Sequence, residues 1–186
     1  MPYNNPTGNF LRQPYLDSLS EICASNNIWL ISDEAYRGLN YTGEENSTIW
    51  KTKNNYENKI SIDSASKLWN ACGLRIGALV TNNQQLHNLC VAEYTANLCT
   101  NVLGQKLFAV INDLSESEIK DWIESLKKIY FKRLNNIRNE LLDLNNDLII
   151  SKPESSLYLI IDVKKAVNKD FSAKEFALYC AEKGKI

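Results

Sequence analysis

The chain has a single histidine, His87, and its five cysteines (Cys23, Cys72, Cys90, Cys99 and Cys180) are odd in number, scattered and without a C-x-x-C pair. Neither a disulfide framework nor a zinc site is supported by that inventory. Seven glycines include no G-x-G-x-x-G, so a dinucleotide fold has no footing. Gly38-Leu39-Asn40-Tyr41-Thr42-Gly43 imitates the opening of a phosphate-binding loop, but Glu44-Glu45 stands where lysine and a hydroxyl residue are required, and carboxylates there repel phosphate. A charge excess is also lacking. The 21 lysines and arginines nearly balance 22 acidic residues, which leaves no field to gather nucleic acid or hold an acidic membrane. Nor is any apolar run long enough to span a bilayer, and Met1, Pro2, Tyr3, Asn4 and Asn5 do not form a charged and then apolar leader. A cytoplasmic protein is expected, in which the sequons at Asn40 and Asn46 are accidental.

A 44% apolar composition over 186 residues supplies a real core for one domain or somewhat more. The near-zero net charge removes colloidal repulsion and favours self-association. Leu16, Leu19, Ile22 and Cys23 recur at helical spacing within Tyr15 to Asn26. Ile28 to Ile31 then forms a short apolar run of the kind that a strand buried on both faces shows, and helix followed by strand points to an α/β layer. Glu44 to Lys59 is polar enough to be mostly surface loop. Ile60 to Ser64 and Leu74 to Thr81 read as strands, and Gln85 to Asn97 and Leu103 to Leu114 as helices. Ser115 with Glu118 has the form of a capping box. It opens a long periodic stretch through Leu141, one helix able to bridge two domains. Leu148 to Ile150 and Leu157 to Val163 read as strands, followed by a helix over Ser172 to Lys183. Gly184-Lys185-Ile186 has the form of an approach to a further strand, so the fold is expected to continue.

Three segments concentrate polar chemistry. In Asn4-Asn5-Pro6-Thr7-Gly8, proline restricts the residue before it and glycine permits a sharp turn, so the Asn5 amide is presented from a rigid loop. Ser32-Asp33-Glu34-Ala35-Tyr36 follows the first strand directly, which is where ligands of open α/β sheets gather. A carboxylate at Asp33 can keep a pyridine nitrogen protonated, and Tyr36 can turn its hydroxyl to the same ring. In the segment from Ser64 to Gly77, Ser64 and Ser66 precede Lys67, and Arg75 lies eight residues beyond it. That grouping offers one amine for an imine and several donors for a phosphate. Each segment alone also reads as an ordinary turn or solvated loop; their joint occurrence in this order carries the argument.

Together the three segments resemble the signature of the class I/II aminotransferases among fold-type-I pyridoxal phosphate enzymes: N-P-T-G, D-x-x-Y, then S-x-S-K with G-L-R-x-G. The resemblance extends over the whole chain, because Lys152 to Asp162 is similar to the start of that family's small domain. It implies an α/β fold made of part of the pyridoxal-phosphate-binding large domain, with a mixed and mostly parallel sheet, plus a fragment of the α+β small domain. Residues 1–114, 115–145 and 146–186 would be the large-domain part, the interdomain helix and the small-domain part. It further implies that Lys67 forms the internal aldimine with pyridoxal phosphate and later shuttles a proton. Asp33 would pair with the pyridinium nitrogen, Tyr36 and Asn5 would bond the phenolate oxygen, and Ser64, Ser66 and Arg75 would bind the phosphate. Lys67, Asp33 and Arg75 must then border one cavity. Amino acid and 2-oxo acid substrates and a homodimer in the full-length form are implied as well, and Thr100-Asn101 matches the position that reaches toward the neighbouring subunit.

The sequence departs from that pattern at both ends. No glycine-containing phosphate loop or ring-stacking aromatic residue precedes Asn5, and no arginine that would clamp the substrate carboxylate follows. The chain alone is therefore expected to be incomplete as a catalyst, as a fragment, a split-gene product or a remnant, and prone to association through exposed sheet edges. Beta-lyase or synthase chemistry of the same fold type, and a non-catalytic remnant, stay open.

Overall fold

Pro14 falls in the first turn of α1 (Gln13–Ser25), where a missing N–H breaks no helical bond. A computed structural model of the chain describes residues 1–97 and 100–184. Cys99 and the strand approach at Lys185-Ile186 lie outside the described residues. After α1 come β1 (Leu30–Asp33), β2 (Lys59–Ser64), the single turn α2 (Ala65–Leu68) and β3 (Gly77–Thr81). Then follow α3 (Gln84–Ala96), α4 (Val102–Ala109), α5 (Glu116–Leu144), the short strands β4 (Ile149–Ile150) and β5 (Ile161–Asp162), and α6 (Ala173–Tyr179). Among the described residues no helix is long and apolar enough to cross a membrane.

The sheet is mixed, in the order β1-β2-β3. β1 runs parallel to β2 with Asp33 opposite Ile62, and β3 returns antiparallel with Gly77 opposite Ser64. The carboxyl ends of β1 and β2 and the start of β3 therefore share one end of the sheet. Because neighbouring residues of a strand face opposite sides, Ile31, Ile60, Ile62 and Leu79 line one face, and Ser32 and Ser61 the other.

The first strand corrects the expectation of a run buried on both faces. Pairing starts at Leu30, and Ile31 is 58% exposed while Ser32 is buried. β1 is an edge strand, and among the described residues nothing covers its apolar face. The buried face is instead small and polar, with Ser61 Oγ accepting from Trp50 Nε1 at 2.8 Å. The stretch read as surface loop is also partly internal, since Ser47, Thr48 and Ile49 are buried. Lys59 is buried too, donating from Nζ to Thr52 Oγ1 at 2.7 Å and to the Asn54 carbonyl at 2.8 Å. Burial holds its pKa below the ordinary lysine value. Asn40, the acceptor of one sequon, is 2% exposed and donates to the Glu44 carbonyl, so this fold does not offer it for modification.

α5 is one continuous helix capped as its sequence indicates: Ser115 accepts from the Glu118 N–H, and the Glu118 side chain accepts from Ser115 N. Its Leu126 joins Tyr3, Phe10, Tyr36 and Leu39 in the main core, and Trp122 Nε1 donates to the Leu68 carbonyl at 2.9 Å. Beyond α5, the expected strand over Leu157 to Val163 contracts to β5, because residues 154–158 form a strap bonded to two loops instead. Gly8 O accepts from Ser155 N at 2.8 Å, Leu39 O from Ser156 N at 2.9 Å, and Tyr41 N donates to Glu154 O at 2.8 Å. The helix read over Ser172 to Lys183 ends at Tyr179 and continues as a wider π-type turn over Cys180–Gly184.

The strap explains Gly8, whose φ is +72° and whose added Cβ would stand 2.3 Å from the Tyr158 carbonyl oxygen. Gly8→Ala is expected to cost about 3 kcal/mol, from backbone strain and the displaced strap together, measured as a lowered urea midpoint. An unchanged midpoint would show that the strap does not bear on stability.

Candidate functional site

Asp33 ends β1 and bends back on itself, with Oδ1 accepting from the Ala35 N–H at 3.1 Å. That local turn brings Tyr36 under the sheet end, where it is buried. Across from it, β2 ends at Ser64, whose hydroxyl caps α2 by accepting from Ser66 N at 3.1 Å. The single turn that follows carries Lys67 back over Tyr36, with Nζ 5.9 Å from the ring centroid. Amine, phenol and carboxylate thus come together through parallel pairing and two short turns. Ser64 and Ser66 flank the amine on the same segment.

Arg75 and Asn5 stand apart from that group. Arg75 has a left-handed backbone with φ +54°, and its Nη1 donates to the Cys72 carbonyl at 3.0 Å. It precedes β3 at the same sheet end, but its side chain is turned back on its own loop and exposed. Asn5 is exposed on a turn built by its neighbour, Asn4, whose Oδ1 accepts from Thr7 N and Thr7 Oγ1 at 3.1 and 2.7 Å; the Asn5–Pro6 peptide is cis. Asn101 caps α4, accepting from Gly104 N at 3.2 Å.

The expectation that Lys67, Asp33 and Arg75 border one cavity is not met at five cavities among the described residues. One of them, about 700 Å³, lies between Met1, Asn4, Phe10, Ser151 and Glu154, and none of the five is lined by Lys67, Asp33 or Arg75. The reason is geometric. Ile62, Arg75 and Gly77 are exposed, so the sheet end is an open surface and not an enclosed hollow.

Two contributions were missed in the sequence. Glu34, 1% exposed, accepts from Thr48 Oγ1 at 2.7 Å, Ile49 N at 3.0 Å and Ser32 Oγ at 3.1 Å. Arg37 Nε lies 3.5 Å from it, and Arg37 Nη2 reaches Asp63 Oδ2 at 2.5 Å. This chain of charges ties the Asp33–Tyr36 turn to the residue before Ser64. No spacing rule marks Glu34, because its partners come from a loop that reads as polar surface. The second is Tyr158, whose hydroxyl lies 2.5 Å from that of Tyr36. The Tyr36 pKa is raised by burial first and by the Tyr158 hydrogen bond second; burial likewise raises those of Tyr3 and Tyr41.

The α/β layer with its mixed sheet and a lysine-bearing turn at the strand ends has the fold of part of a fold-type-I protein. The family model for aminotransferase class I and II matches residues 3–186, and the chain belongs to that family. It is similar to the aspartate aminotransferase of Bacillus sp. (strain YM-2), at 28% identity over 177 residues that make up 94% of this chain and 44% of that protein. Among solved structures it is similar to N-succinyldiaminopimelate aminotransferase from Mycobacterium tuberculosis, with a TM-score of 0.83 at 22% identity, covering 97% of this chain and 45% of that one. The pyridoxal-phosphate-bound C-S lyase from Staphylococcus hominis gives 0.79 at 20% identity, over 97% and 45% of the two chains. The chain spans less than half the length of these relatives.

Removing the Glu34 carboxylate leaves three donors and a guanidinium without their buried acceptor. Glu34→Ala is expected to cost about 3–5 kcal/mol, read from denaturant unfolding; a cost below about 1 kcal/mol would contradict the bridging role. The phenols set the alkaline limb. A phenol whose folded pKa lies above its unfolded value contributes stability that is complete below about pH 10 and lost as pH rises further. Unfolding free energy should therefore fall above pH 10, and Tyr3→Phe should flatten that limb; an unaltered slope in the variant would refute the assignment.

Proposed function

We propose that this chain is the part of a pyridoxal-phosphate-dependent aminotransferase that carries the cofactor lysine, and that the amino group moves between an amino acid and a 2-oxo acid. What carries the reading is the Lys67 amine held 5.9 Å from the Tyr36 ring, at the strand end that also carries Asp33. The residues fit the cofactor by the chemistry of their donors. An aldehyde needs an amine, and among the described residues Lys67 is in no ion pair. A phosphate needs hydroxyl and guanidinium donors, and Ser64, Ser66 and Arg75 supply them within one loop.

When bound, pyridoxal phosphate supplies an aldehyde and a pyridine ring that withdraws electrons from the bond being broken. The chain's own residues divide the remaining work. Lys67 holds the cofactor through its amine and moves a proton at the substrate's alpha carbon. Asp33 keeps the ring nitrogen protonated, which its position at the end of β1 suits. Tyr36 donates to the ring oxygen, with Asn5 as the second donor in the assembled enzyme. Ser64 and Ser66 donate hydroxyl protons to the phosphate, and Arg75 adds the N–H groups not given to Cys72. Residues 1–114 would then be large domain, 115–145 the interdomain helix and 146–186 small domain of a cytoplasmic homodimer that binds neither nucleic acid nor membrane.

A second reading keeps the cofactor and changes the bond broken, because the likeness to the C-S lyase nearly equals that to the aminotransferase. Adding pyridoxal phosphate, reducing with borohydride and mapping the modified peptide tests the shared part. Label is expected on Lys67 and lost in Lys67→Ala, whereas label spread evenly over surface lysines would overturn the site. In the full-length protein, a 2-oxo acid formed only when a second 2-oxo acid accepts the amine supports transfer, while release of thiol and ammonia supports the lyase.

A further inference from the structure

Tyr158 lies 122 residues from Tyr36 in sequence and in none of the three motif segments. Its hydroxyl oxygen is nevertheless 2.5 Å from that of Tyr36, and the rings meet edge to face at a centroid distance of 5.7 Å. The contact is held from behind by the strap. Ser155 N and Ser156 N donate to Gly8 O and Leu39 O, while Ser155 Oγ donates to Asn9 O at 2.7 Å and Ser156 Oγ to Asn4 O at 2.9 Å. Four anchors immediately before Tyr158 leave its ring little freedom to leave Tyr36.

Two hydroxyls in contact share one proton between their oxygens and keep the other outside the pair. When Tyr158 is the donor, the Tyr36 proton is the outer one and can be given to a third acceptor. When Tyr36 is the donor, it has nothing to offer. At Tyr36 the Asp33 carboxylate repels a phenolate, while Lys67 lies over the ring face. Burial and the Asp33 carboxylate hold the Tyr36 hydroxyl in its protonated form, and a bound acceptor beside it decides which hydroxyl donates across the pair.

We propose that Tyr158 is a positioning residue for Tyr36: by donating to the Tyr36 oxygen it directs the Tyr36 proton outward, toward the ring oxygen of a cofactor held by Lys67. The proposal rests on the cofactor reading above. It assigns to a strap residue, reached only after α5, a role in setting the basicity of the amine-linked cofactor. Tyr41 provides an internal comparison. Its hydroxyl donates to Ser156 O at 2.5 Å, so it fastens the same strap and packs against the same core but makes no hydrogen bond to Tyr36 or Lys67 among the described residues.

The test compares the chain with its Tyr158→Phe, Tyr36→Phe and Tyr41→Phe variants after loading with pyridoxal phosphate, reading the borohydride label and the pH midpoint of the visible absorbance. Tyr158→Phe keeps the ring and its packing, so the fold is retained. Lys67 should be labelled in the parent and in Tyr158→Phe. The midpoint should rise by about one pH unit in Tyr158→Phe, the equivalent of one weakened charge-assisted hydrogen bond, in the same direction as in Tyr36→Phe. Tyr41→Phe should leave it in place. In the chain without cofactor, ultraviolet titration should show a late phenol that moves toward the ordinary tyrosine range in Tyr158→Phe. Labelled Lys67 with an unmoved midpoint in Tyr158→Phe overturns the positioning role alone. An equal shift in Tyr41→Phe overturns it as well, since the strap as a whole would then be responsible. No Lys67 label in the parent overturns the cofactor reading, and this proposal with it.

Discussion

The carboxylate of Glu34 cannot be hydrated where it sits, and most of the candidate site follows from how it is satisfied. Its partners come from the buried face of β1, from the 48–49 loop and from Arg37. Arg37 in turn reaches Asp63, the last residue before the Ser64 cap. A buried charge of this kind adds little net stability over an apolar replacement, but it permits few alternative arrangements. The turn that carries Asp33 and Tyr36 is thereby held at one spacing from the turn that carries Lys67.

That spacing is completed from a distant part of the chain. The 154–158 strap lies across the loops at 4–9 and 39–41, and its bonds are mainly to backbone carbonyls, which do not depend on which side chains those loops carry. Tyr158 reaches Tyr36 because α5 returns the chain to the same core, with Leu126 and Tyr130 against Tyr36 and its neighbours. The site is therefore a meeting of two regions far apart in sequence.

Features set by neighbours along the chain are legible in the order of residues alone. The capping box at Ser115, the period of α5, the strand end at Ser64, and the order of the three motif segments depend on contacts within a few residues. The burial of Ser47 to Ile49, the exposed face of β1 and the Tyr36–Tyr158 pair are not legible in that way. Polar loop residues look alike in sequence whether they face water or a buried carboxylate, and an apolar strand does not disclose which of its faces will be covered. Arg75 shows the same limit on a smaller scale: its place eight residues after Lys67 can be read, but the turn of its guanidinium onto Cys72 cannot.

The sequence by itself determined the family, the local elements and the candidate amine, carboxylate and phenol, because each is written in residue type and short spacing. Only the tertiary structure decided that Lys67 comes to lie over Tyr36, that Glu34 and Tyr158 meet the turn carrying Tyr36, and that the sheet end is open. Those outcomes depend on contacts between residues separated by tens to more than a hundred positions. Their energies arise from burial and from donors brought together by packing, which no local pattern along the chain encodes.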